Sequence, residues 1–110
     1  MGTLKLKSSD EIFQLKISLL GSEPEIWRTI QISSDATLSR LHKAIQSAFD
    51  WEDSHLHEFT TIKHEKINKR QKLKDLLRVG KKIIYTYDFG DCWEHLITVE
   101  SRQSPDLNKK

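Results

Sequence analysis

One cysteine, two prolines, one methionine and four glycines in 110 residues exclude several classes of protein at once. A single thiol, Cys92, cannot close an internal disulfide, and it predicts a reducing compartment, the cytoplasm. So little glycine and proline rules out collagen-like and low-complexity architectures. No apolar run approaches the roughly 20 residues that cross a bilayer, and no basic-then-apolar leader opens the chain. No membrane partner is expected. Neither sign of charge dominates, with a formal net charge of +2. Any partner preference must therefore come from where the charges sit.

What is present suits one modest core. Hydrophobic residues make up 36% of the chain and include three Trp, four Phe and two Tyr, enough for a single domain at this length. Residues 1–11 read as a flexible polar lead-in, 12–100 as the domain and 101–110 as a flexible tail carrying Pro105 and a terminal lysine pair.

Along 12–20, Phe13, Leu15, Ile17 and Leu19 alternate with polar residues, which predicts a strand with one buried face. Gly21 to Pro24 is a turn signal, and Ile26 to Ile32 resumes the alternation, giving an N-terminal hairpin. Ser33 to Thr37 is rich in capping side chains. Leu38, Leu41, Ile45, Ala48 and Phe49 then recur at helical spacing, with Gln46 and Lys43 on the other side, so a long helix is predicted over 37–49. His55 to Ile62 predicts a third, central strand. The run 63–70 reads as a charged connection, and Leu73, Leu76 and Leu77 suggest a short helix over 72–78.

The stretch from Ile83 to Val99 organises the rest. Two aromatic-rich strands flank Asp88-Phe89-Gly90-Asp91-Cys92, a hairpin tip, and alternation places Trp93, His95, Ile97 and Val99 on one face. Asp91 and Glu94 lie close enough to Cys92 to disfavour a thiolate nucleophile there. The fold class that follows is α+β. An antiparallel sheet, built from two hairpins and a central strand, is covered on one face by the long and the short helix.

Four blocks in order carry a resemblance: Glu-Ile-Trp-Arg at 25–28, the helix at 37–49, Asp-Ser-His-Leu-His-Glu-Phe at 53–59 and Tyr-Thr-Tyr-Asp-Phe-Gly-Asp-Cys-Trp-Glu-His at 85–95. Together they resemble the plasmid pRiA4b ORF-3-like family over about residues 12–100. The resemblance implies an α+β fold and a plasmid or mobile-element setting, and no established activity. The family's usual C-terminal part, with a Cys-Pro-Pro-Glu-Asp segment, is absent from this chain.

Two stretches, Ala44 to Ile62 and Ile83 to Ser101, contain acids and imidazoles without a single Lys or Arg. If they converge, His55, His57, His95, Asp88 and Asp91 are candidate ligands for a divalent metal ion, with Glu58 or Glu94 as candidate general base of a hydrolase or nuclease. The competing reading makes the same groups turn caps and cross-strand hydrogen bonds. A third reading is a metal-free binding surface that includes Trp51, Asp53, Tyr87 and Trp93.

The opposite pole is Lys63 to Lys82, with nine Lys and Arg against Glu65 and Asp75. Lys66, Lys69, Arg70, Lys72 and Lys74 are its candidate phosphate contacts. No aromatic residue is interleaved there, so base stacking is not expected from this segment alone. The leading expectation is a small cytoplasmic binding module that engages nucleic acid or a protein partner without catalysis. The alternative is the metal-dependent hydrolase or nuclease.

Overall fold

Strict alternation along the first strand places every second side chain on one face, and that face is the floor of the core. The computed structural model describes residues 11–51, 56–88 and 93–104. In chain order the elements are β1 (Ile12–Leu19), β2 (Ile26–Ser33), α1 (Leu38–Ala48), β3 (His57–Thr61), β4 (Lys66–Ile67), α2 (Leu73–Leu76), β5 (Lys82–Tyr87) and β6 (Trp93–Gln103). The six strands form one antiparallel sheet in the order β2-β1-β6-β5-β3-β4. The fold is α+β, as the patterning implies.

Phe13, Leu15 and Ile17 of β1, Phe59 of β3, Ile83 and Tyr85 of β5, and Ile97 and Val99 of β6 all face one way and are buried. Leu38, Leu41 and Ile45 of α1 close over them. Thr37 starts that helix by accepting the Arg40 N–H at 3.2 Å, which satisfies a backbone donor with no partner inside the helix. The segment after β4 is laced to the helix entry. Leu73 N–H donates to Ala36 O, Lys74 N–H to Ser34 O and Leu38 N–H to Gln71 O, at 2.8–3.0 Å. α2 thereby delivers Leu73 and Leu77 to the same core.

Four details differ from the patterning. The C-terminal hairpin takes the middle of the sheet, and the third strand lies outside it, because β6 pairs with β1 on one side and β5 on the other. β6 also continues through Ser101, Arg102 and Gln103, opposite Gln14, Phe13 and Ile12, so the stretch read as a tail begins as paired strand. A one-residue register shift at Gln14/Leu15 accommodates the extra length. At the other end Glu11 is anchored, its carbonyl accepting Ser34 N–H at 2.7 Å and its carboxylate meeting Arg102 at 3.2 Å. Finally, the connection at 63–70 contains β4, a two-residue strand made possible by one buried apolar side chain, Ile67.

β2 is an edge strand whose burial rises toward its C-terminal end. Ile32 and Ser33 are buried, whereas Ile26 and Trp27 are exposed despite their place in the alternation.

Candidate functional site

Three polar side chains meet inside the core where apolar ones are expected. His42 and Gln46 are one turn apart on the covered side of α1, both nearly inaccessible, above Tyr85 of β5. The Gln46 amide donates to the Tyr85 hydroxyl at 2.8 Å. His42 Nδ1 lies 2.7 Å from the same hydroxyl, so the phenol ties both helix side chains to the sheet. His57, from β3, stacks flat on His42 with ring centroids 3.5 Å apart and 4° between planes. The half-buried His57 ring is thus held from behind by a hydrogen-bonded imidazole.

His95 lies in the neighbouring row of the sheet, directly across from Tyr85. It is fully buried, and its Nδ1 sits 3.2 Å from the Tyr85 carbonyl oxygen. A carbonyl can only accept, so Nδ1 carries the proton. Burial pushes the His95 pKa below the ordinary 6.5, and the Tyr85 and Trp93 carbonyls pull it partly back. The unfolded chain therefore binds a proton that the folded one refuses. Stability from this group is complete above about pH 6.5 and is lost as pH falls through the folded pKa. The slope is at most about 1.4 kcal/mol per pH unit. His95→Gln should flatten the acid limb of a plot of urea midpoint against pH, and an unchanged limb would refute the assignment.

Around His95 runs an aromatic cluster. Trp51, just past the helix end, packs against Tyr87 and Trp93, each at 5.5 Å between centroids. Phe49 meets the His95 ring edge-on at 5.2 Å. Arg28 clamps this end of α1. Its Nε donates to the Ala48 carbonyl at 3.2 Å, and its guanidinium lies 5.2 Å from the Phe49 ring, a cation where the helix presents unsatisfied carbonyls.

The sequence candidates disperse over this frame. His57 and His95 come from the strands on either side of β5, with ring centroids 5.9 and 5.3 Å from that of Tyr85. Asp88, whose N–H donates to Leu56 O at 2.8 Å, takes a left-handed φ of 64° at the end of β5. Asp tolerates that conformation better than most residues. His55, Asp53, Asp91 and Cys92 lie outside the described residues. Among the described residues no three His, Cys, Asp or Glu side chains gather as a metal would require. The two candidate bases separate as well. Glu58 lines a cleft with His57, whereas Glu94 lies 3.9 Å from His64. Of the binding-surface candidates, Tyr87 is buried, Trp51 is half-buried and Trp93 is 39% exposed.

The basic segment resolves into two roles. Lys72 and Lys74 both reach Asp35, at 3.1 and 3.0 Å, and these contacts, Lys74 first, hold the Asp35 carboxyl below the usual carboxylate range. They tie α2 to the helix entry. Lys66 and Lys69 instead line a cleft of about 420 Å³ at the outer edge of the sheet, together with His57, Glu58, Ile67 and Asn68. The cleft exists because β4 is so short. It pairs only with Phe59 and Thr60, and the chain turns away at Asn68, whose side chain accepts the Arg70 N–H at 2.8 Å. On the far side of the β3–β4 turn a second hollow of about 470 Å³ carries Lys63, Lys81 and Lys82 along with Glu65.

Sequence reading overlooked His42 and placed Gln46 on the solvent side. Their positions alone give them away. Leu38, His42 and Gln46 are spaced by four, alongside Leu41 and Ile45, so they belong to the buried stripe despite their polarity.

The family described as plasmid pRiA4b ORF-3-like protein matches residues 11–110. The uncharacterised protein y4hQ of Sinorhizobium fredii is 31% identical, over 81% of this chain and 53% of its own length. The crystal structure of MM3350 from Methanosarcina mazei Go1, a protein of unknown function, superposes with a TM-score of 0.82 at 33% identity. It covers 92% of this chain and 65% of that one. The chain therefore spans about half of y4hQ and about two thirds of MM3350.

Proposed function

Since the chain belongs to the plasmid pRiA4b ORF-3-like family, whose fold carries no activity with it, we propose a function from the cleft: a non-catalytic module that binds nucleic acid through its phosphate backbone. The single observation behind this reading is the cleft at the open sheet edge, where Lys66 and Lys69 stand beside Asn68 and the His57 ring. Among the described residues neither lysine has a carboxylate within ion-pair distance. Their charge is therefore available, in contrast to that of Lys72 and Lys74. Glu58, which also lines the cleft, limits the net positive charge to about one unit, which disfavours a multiply charged small ligand and suits the singly charged phosphodiesters of a strand. The hollow with Lys63, Lys81 and Lys82 extends the positive track beyond the turn.

Each cation that neutralises a phosphate of a single strand steepens the fall of log affinity with log salt by about 0.7. Lys66→Ala combined with Lys69→Ala should therefore flatten that slope by about 1.4. Fluorescence anisotropy of a labelled oligonucleotide, between roughly 50 and 200 mM salt, measures it. The control is Arg40→Ala with Lys43→Ala, which removes the same charge from the exposed side of α1. Equal losses from both pairs, or no salt-dependent binding of DNA or RNA, would overturn the reading.

A further inference from the structure

We propose that β2 is the contact edge of a symmetric dimer, pairing antiparallel with β2 of a second copy of this chain about a twofold axis at Ile30. Ser34 N–H donates to the Glu11 carbonyl and so points to the β1 side. Backbone groups alternate along a strand, and β1 and β2 pair in one unbroken register. Arg28, Ile30 and Ile32 therefore direct their N–H and C=O groups at β1, and Trp27, Thr29, Gln31 and Ser33 direct theirs outward. Two of those outward carbonyls are already engaged, Trp27 O by the Arg28 guanidinium at 2.8 Å and Ser33 O by Ala36 N–H at 3.0 Å. Among the described residues no strand lies beyond Thr29 and Gln31, and both are exposed.

What fits this edge is the edge itself. With Thr29 opposite Gln31 of the second copy, each of these residues exchanges its N–H and carbonyl with the other, and Ile30 meets Ile30 of the second copy in a close non-hydrogen-bonded pair. The side chains match in the same way. Gln31 spends its amide N–H on Gln14 at 3.2 Å, and Gln14 in turn reaches Glu100 at 3.2 Å. The Gln31 Oε1 left at the edge is an acceptor, and the Thr29 hydroxyl opposite it can donate. A twofold repeats each contact, as an isologous interface requires. β2 also lacks the devices by which edge strands avoid pairing. Over Ile26–Ser33 it has no proline, no lysine and no register shift against β1. Its one charge, Arg28, is turned onto the Ala48 carbonyl and the Phe49 ring. Joining two such edges makes one continuous sheet and leaves a lysine cleft at each far end.

Sedimentation velocity from roughly 10 µM to 1 mM protein should show the mass rising from monomer toward dimer, as a small interface implies. Thr29→Pro deletes an outward N–H that β1 does not use, and it should hold the protein monomeric over that range. Gln31→Lys keeps every backbone donor, sets like charges diagonally across the axis and should weaken association several-fold; it carries the test if the proline variant fails to fold. In the unaltered protein, amide exchange at Thr29 and Gln31 should slow as concentration rises. A monomer mass throughout, association without added protection at Thr29 and Gln31, or association that Gln31→Lys leaves undiminished would overturn the proposal.

Discussion

Phe59→Ala is expected to destabilise the protein by about 3–5 kcal/mol, the range for emptying a large buried aromatic site. Phe59 is fully buried, packs at 5.0 Å against Tyr85 and meets His57 edge-on at 6.4 Å. Its surroundings have little freedom to collapse. β3 is held by β5 on one side and by only two residues of β4 on the other, while Tyr85 is fixed by the helix above it. At roughly 4 °C per kcal/mol for a domain of this size, the melting midpoint should fall by on the order of 12–20 °C. Ile62→Ala is the matched control. Ile62 is 58% exposed in the adjacent turn, and its truncation should stay within about 0.5 kcal/mol. A Phe59 variant that melts with the control would mean that β3 contributes little to the cooperative core. Because β3 also carries His57 and Glu58 into the cleft, the destabilised variant should lose oligonucleotide binding ahead of global unfolding.

The fold was legible because most of its elements obey one period cleanly. β1 alternates without exception, the α1 stripe recurs every three or four residues, and the β5–β6 hairpin announces itself through aromatic runs around a Gly-Asp tip. What escaped depends on partners far away in the chain. Gln103 is strand only because Ile12 lies opposite it, and Lys66–Ile67 is strand only because Phe59 and Thr60 are there to pair. No local pattern carries that information. The candidate site escaped for a related reason. Sequence placed acids and imidazoles near each other by counting charges. The side chains were sorted instead by which ones the helix stripe and the Tyr85 hydroxyl could satisfy. His57 and His95 share a face with Tyr85, as alternation implies, but they stand on β3 and β6 with β5 between them. The lysines of the basic run were likewise divided by a single carboxylate, Asp35, which takes two of them.

Tyr85→Phe should be nearly as costly as many cavity mutations although it removes one oxygen and creates almost no void. That oxygen receives the Gln46 amide at 2.8 Å and faces His42 Nδ1 at 2.7 Å, all three side chains being buried. With phenylalanine in place, the amide and the imidazole each lose this partner in a low-dielectric interior. A buried polar group stripped of its hydrogen bond costs about 1–3 kcal/mol, so the variant should lose about 2–3 kcal/mol in total. The mechanism predicts a definite non-additivity. In a Gln46→Leu background the same Tyr85 substitution strands one fewer group, and its cost should shrink by about 1 kcal/mol, the coupling expected within one hydrogen-bonded network. Urea denaturation of the four proteins in that cycle supplies the number. A Tyr85→Phe cost below about 0.5 kcal/mol, or full additivity with Gln46→Leu, would show that packing alone holds α1 to the sheet. The stacked His57 ring gives an independent readout. It rests on His42, and His42 faces the Tyr85 hydroxyl, so losing that oxygen should loosen the imidazole that lines the cleft and weaken oligonucleotide binding in a protein that is still folded.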